Sequence, residues 1–122
     1  MKEEDLMIGD LVKMNAGPAR ITAIKEGEIH FVDRFGRGIS PDCEGLPITA
    51  EILEKNGFHY VKETGYMCYE QLGDRKYNLI AVKGNILQMQ FTSGNLEWTE
   101  CRYVHDLQHA LRLCGISKEI VL

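Results

Sequence analysis

The chain has 122 residues, an apolar content of 44% and a net charge of −4. That balance fits a folded globular protein, excludes a disordered polar chain, and argues against a protein that coats nucleic acid through a broad basic surface. No apolar run approaches the ~18 residues of a membrane span, and the acidic opening Lys2-Glu3-Glu4-Asp5 lacks a signal-peptide pattern, so the expected setting is the cytoplasm, with no membrane partner.

Four cysteines, Cys43, Cys68, Cys101 and Cys114, are scattered without a CxxC pair. Reduced, buried thiols fit that spacing better than disulfides or a zinc site. The charge is uneven: residues 1 to 58 carry 7 basic and 11 acidic side chains, and residues 59 to 122 carry 7 of each. Neither half is a basic domain.

In chain order, Leu6 to Asp10 reads as an entry turn and Leu11 to Asn15 as a first strand. Ala16-Gly17-Pro18 should break the ladder, because Gly17 can take a positive φ and Pro18 has no donor. Ala19 to Glu26 is rich in β-branched residues and predicts a second strand. Glu28 to Asp33 predicts a third, with Ile29 and Phe31 facing one way and Glu28, His30 and Val32 the other. These short strands suggest an SH3-like curled sheet over residues 1–47. Arg34 to Gly38 then reads as a turn, followed by loop to Pro47. Thr49 is a helix N-cap, Ala50 to Asn56 a two-turn helix burying Ile52 and Leu53, and Gly57 its C′ residue.

From His59 onward the pattern is an antiparallel meander. Its strands are His59 to Glu63, Tyr66 to Leu72, Lys76 to Lys83, Ile86 to Phe91 and Leu96 to Cys101, with turns at Thr64-Gly65, Gly73-Asp74-Arg75, Gly84-Asn85 and Ser93-Gly94-Asn95. Leu87, Met89 and Phe91 share a face, while Gln88 and Gln90 look toward water. Val104, Leu107, Leu111 and Cys114 recur at helical spacing, so residues 103 to 114 form an amphipathic helix able to cover one sheet face. The expected fold is therefore α+β and a single domain: an SH3-like strand cluster, a short helix, an antiparallel meander and a C-terminal helix.

Three constellations invite chemistry. His105 and His109, one helical turn apart, could grip a divalent metal, but two ligands without an HExxH context do not make a site, and local packing explains them as well. No cysteine or serine lies in a nucleophile elbow, and the glycines form no Walker or dinucleotide fingerprint, so no cofactor and no catalytic residue is expected. Lys13, Arg20, Lys25, Arg34 and Arg37 oppose only Glu26, Glu28 and Asp33 between residues 13 and 37. With Phe31 and Phe35 interleaved, Lys13, Arg20, Arg34 and Arg37 are the candidates for contacting single-stranded nucleic acid. A solvated β-surface is the simpler account, since Phe31 alternates as a core residue would. The strand aromatics Tyr60, Tyr66, Tyr69, Tyr77, Trp98 and Tyr103 suit either packing or recognition.

Three segments carry a resemblance: Asp5-Leu6-Met7-Ile8-Gly9-Asp10-Leu11-Val12, Leu46 to Phe58, and Tyr103-Val104-His105-Asp106-Leu107-Gln108 with Ala110-Leu111. In order and spacing they resemble a family of small uncharacterised proteins of gut anaerobes, their phages and mobile elements, with an LRIGN-V start, a PIPLT-E-L helix and a YVHQLQN C-terminal helix. Asp106 and His109 stand where that family usually has Gln and Asn, which leaves the His105/His109 pair particular to this chain. The resemblance implies a genomic setting and no mechanism. The expectation is a non-enzymatic interaction module that binds a protein partner or a second copy of itself. A single-stranded nucleic-acid binder and a metal-dependent enzyme centred on His105 and His109 are the alternatives.

Overall fold

The computed structural model describes residues 6–71, 77–90, 96–116 and 118–122. The turns expected at Gly73-Asp74-Arg75 and Ser93-Gly94-Asn95, and the strand ends Leu72, Lys76 and Phe91, lie outside the described residues. The fold is α+β, with two five-stranded antiparallel sheets and two helices. The chain divides into two units, Met1–Pro47 with Tyr103–His105, and Ile48–Arg102 with Asp106–Leu122.

In the first unit, β1 (Leu11–Met14), β2 (Gly17–Lys25), β3 (Glu28–Asp33), β4 (Gly36–Ser40) and β5 (Glu44–Gly45) are ordered β4-β3-β2-β1-β5, as in an SH3-like cluster. Two of these strands fall where a turn and a loop are expected. Gly36-Arg37-Gly38-Ile39-Ser40 has poor intrinsic β-propensity, yet it pairs with β3 along its length. Gly38 lies opposite Phe31, and a Cβ there would collide with the Phe31 ring. The missing side chain is what lets the ring lie across β4, so tertiary packing overrides propensity.

The expected ladder break at Gly17-Pro18 is also displaced. Both residues belong to β2, opposite Met14 and Lys13, and the hairpin turns at Asn15-Ala16 instead. The pairing of β2 with β3 begins only at Arg20, so the donor that Pro18 lacks is not required on that side. A bulge between Ile21 and Ala23 inserts Thr22. It brings both Ile21, opposite Phe31, and Ile24, opposite Ile29, to the inner face. That face holds the core of Leu6, Val12, Met14, Ala19, Ile21, Ile29 and Cys43. The entry turn is held by Asp10, a fully buried side chain whose carboxylate accepts a hydrogen bond from the Met7 amide at 2.8 Å.

The second unit begins with α1 (Ala50–Lys55), N-capped by Thr49 and followed by Gly57 at φ 81°. The meander β6 (His59–Val61), β7 (Gly65–Gln71), β8 (Tyr77–Lys83), β9 (Ile86–Gln90) and β10 (Leu96–Glu100) runs in simple order. Helix α2 (Val104–Cys114) begins in the first unit and continues through the second. Register places Cys68, Ile80 and Met89 in one cross-strand row and Tyr66, Val82 and Leu87 in the next, so these residues share a face. Buried Leu53 of α1 and buried Leu107, Ala110, Leu111 and Cys114 of α2 supply the apolar surface for this unit's core. The Asn78 amide donates to the Cys114 carbonyl, which places the end of α2 on that face.

The segment from Tyr103 to His105, at the start of the expected C-terminal helix, is tied within the first unit. Tyr103 forms an isolated bridge with Pro47, the Val104 amide donates to the Leu46 carbonyl at 2.8 Å, and a Cβ at Gly45 would meet the Tyr103 ring.

Candidate functional site

The residues proposed as metal ligands both lie on α2. His105 is 3% exposed and its ring stacks on Tyr103 at 5.6 Å and 9°; His109 is half-buried. Among the described residues, no group of three or more His, Cys, Asp or Glu side chains is placed to hold a metal ion. The four cysteines are buried and free of disulfides. Burial, followed by the charge of Asp106, pushes the Cys101 thiol up to about 12, and burial also raises Cys114 and Cys43. Raised thiol pKa values oppose nucleophilic use.

The basic residues sort by strand parity. Leu11, Arg20, Val32 and Arg37 form one row across β1 to β4, so Arg20 and Arg37 share the outer face of the sheet with exposed Val32 between them. The adjoining row contains Ala23, His30 and Ile39. Lys13 lies on the same face and is 3.9 Å from Glu44. Arg20 also donates to the Gly9 carbonyl at 3.0 Å. Arg34 occupies the β3–β4 turn with its guanidinium 4.7 Å from the centre of the Phe35 ring. Of the acids counted against this patch in the sequence, Asp33 alternates to the inner side. There its carboxylate accepts from the Phe35 amide at 2.8 Å, and it lines a cleft with Met14, Phe31 and Cys43 that also reaches Lys13 and Ile39.

The aromatics separate by exposure. Tyr66 and Tyr103 are half-buried, whereas Tyr60 and Trp98 are 63% and 64% exposed. The side chains of Tyr69 and Tyr77 lie outside the described residues. Trp98 ends a row that runs His59, Met67, Ala81, Gln88, Trp98 across all five strands, on the face opposite Ile80 and Leu87. Its strand, β10, is last in the sheet, and all five of its residues are exposed. Leu96 and Trp98 point to one face, Glu97 and Thr99 to the other.

Folded proteins commonly blunt an edge strand with lysine, proline or a bulge. β10 reads Leu-Glu-Trp-Thr-Glu and pairs with β9 in unbroken register. Its one deterrent to pairing is the acidic pair Glu97 and Glu100, the latter 3.6 Å from Arg102. The β10 edge can therefore offer backbone hydrogen bonds, an indole, a leucine and negative charge to an extended chain. Sequence reasoning placed the strand but not its exposure. The signal available was the alternation of two apolar residues with acids and threonine on the last strand among the described residues.

No family model matches the chain, and no curated protein or solved structure matches it either. No helix among the described residues is long and apolar enough to cross a membrane.

Proposed function

We propose that this chain is a non-enzymatic interaction module that takes up an extended, basic segment of another protein as an added strand along β10. The observation that carries this reading is the edge itself: five consecutive exposed residues, with Trp98 at 64% and Leu96 at 50%. Strand addition uses the main-chain groups of the edge for affinity and alternate side chains for selectivity. Glu97 and Glu100 select lysine or arginine in the incoming strand and repel acidic ones. A second copy of this chain fits less well, since a five-residue edge alone falls short of the ~1,200 Å² of total buried surface typical of stable dimers. Reduced thiols agree with a cytoplasmic setting, and the resemblance to proteins of phages and mobile elements extends the proposal to that context.

The test uses a peptide of alternating lysine and valine and its glutamate-valine counterpart, titrated calorimetrically. The lysine peptide binds and the glutamate peptide does not; Glu97→Lys with Glu100→Lys reverses the preference. Equal binding of both peptides, or preference unchanged in the double variant, overturns the reading. Light scattering that shows a stable dimer at working concentration assigns the edge to self-association instead.

A further inference from the structure

The sheet of the first unit sorts charge between its faces, and this sorting is independent of β10. A tally along the sequence sets five cations against three acids between residues 13 and 37. In the fold, Asp33 alternates to the inner side, where its carboxylate accepts from the Phe35 amide at 2.8 Å, while Arg20 and Arg37 share the outer face. Exposed Lys25 ends the same strand as Arg20, across from Glu28. Glu28 itself lies 3.9 Å from His30. Val32, between Arg20 and Arg37, is 38% exposed and Ile39 in the adjoining row 59%, and a cleft of about 650 Å³ runs beside them, lined by Ala23, His30 and Arg37. Beyond it, Phe35 is 72% exposed under the Arg34 guanidinium.

We infer that this outer face binds single-stranded nucleic acid, with Arg34 and Arg37 on phosphates and the Val32, Ile39 and Phe35 surface against unstacked bases. Cations separated by apolar and aromatic surface are the arrangement that a single strand exploits, since its bases are free to stack and its phosphates remain outside. A duplex would present phosphates alone and leave the apolar surface unused. Arg20 and Arg37 stand two strands apart, roughly 10 Å, so the face addresses more than one phosphate. A net charge of −4 for the chain confines attraction to this face, and the few phosphates it contacts set the salt dependence of binding.

The experiment is fluorescence anisotropy with a labelled oligothymidylate and a labelled oligouridylate, from roughly 50 to 200 mM salt. Binding appears at low salt with a log–log slope of about −2, as expected for three phosphate contacts to a single strand. The double variant Arg34→Glu, Arg37→Glu weakens it roughly tenfold or more, since two attractive contacts become repulsive. Phe35→Ala weakens it at unchanged slope, and the control Lys62→Glu in the second unit leaves it unaltered. Circular dichroism checks that each variant folds. Absence of binding at low salt, or equal binding by the folded double variant, overturns the inference. Displacement of the oligonucleotide by polyglutamate at matching concentration assigns the face to an acidic protein instead.

Discussion

Asn56 and Val121 form a reciprocal pair across 65 residues of sequence. The Asn56 carboxamide oxygen accepts from the Val121 amide at 2.7 Å, and its nitrogen donates to the Val121 carbonyl at 2.8 Å. The same nitrogen reaches the Ile52 carbonyl at 2.8 Å, so one buried side chain closes α1 and fastens the C-terminal tail. Ile116 and Ile120, both buried, are the apolar side of that attachment.

Asn56→Ala should therefore cost more than a surface substitution. It leaves the two backbone groups of Val121 without their side-chain partners, an effect of about 1–3 kcal/mol. Chemical denaturation measures the loss, and proteolysis of the native protein should begin at the C-terminal tail. A midpoint unchanged from the parent would mean that the tail contributes nothing to stability.

Gly65 permits the β6–β7 turn. Its φ is +90°, and a Cβ would meet the Val82 carbonyl of the neighbouring strand. Gly65→Ala combines backbone strain with that collision, so a destabilisation of about 2 kcal/mol or more is expected. Gly84→Ala, also at positive φ but with open space around it, should cost less. The ranking of the two thermal midpoints checks the argument.

The same turns show why the second unit was the more legible in sequence. Its strands alternate cleanly and Gly65 and Gly84 mark two of the bends, so five strand positions and both helices follow from local pattern. The N-cap at Thr49 is equally local: its hydroxyl accepts from the Ile52 amide at 3.2 Å. β4 and β5 were not legible, because Gly38 and Gly45 are selected by what packs over them, the rings of Phe31 and Tyr103, and Gly36 by its positive φ. Periodicity placed Val104, Leu107, Leu111 and Cys114 in the core, where each is at most 1% exposed. It did not foresee that His105 and Gln108 would be buried beside them. The exposure of Trp98 was hidden for another reason, since a strand's propensity is the same at an edge as at the centre.

Thr49→Ala should cost about 1 kcal/mol, the usual effect of losing an N-cap hydroxyl. Thr49→Asp should restore the loss, because an acid both caps the amide and suits the helix dipole. Denaturant midpoints for the two variants decide the matter.

The buried thiols give a pH dependence with a definite sign. Cys101 is raised from 9.0 to about 12, so the folded protein keeps a proton that the unfolded chain releases. Its contribution to stability is complete below pH about 9 and is lost as pH rises toward 12. Melting temperatures taken stepwise from neutral to alkaline pH should fall through this window, and less steeply in Cys101→Ala. All four thiols should react slowly with a thiol reagent until denaturant is added.

Hydrogen exchange at β10 tests the central claim most directly. In the protein alone, amides of residues 96–100 that point away from β9 should exchange rapidly, as expected of an open edge. Saturation with the lysine-valine peptide should slow those amides, at alternate residues, and shift the emission of Trp98, the chain's one tryptophan, to shorter wavelength. A fluorescence shift without amide protection would show that the peptide lies on the indole without joining the sheet, and would contradict strand addition.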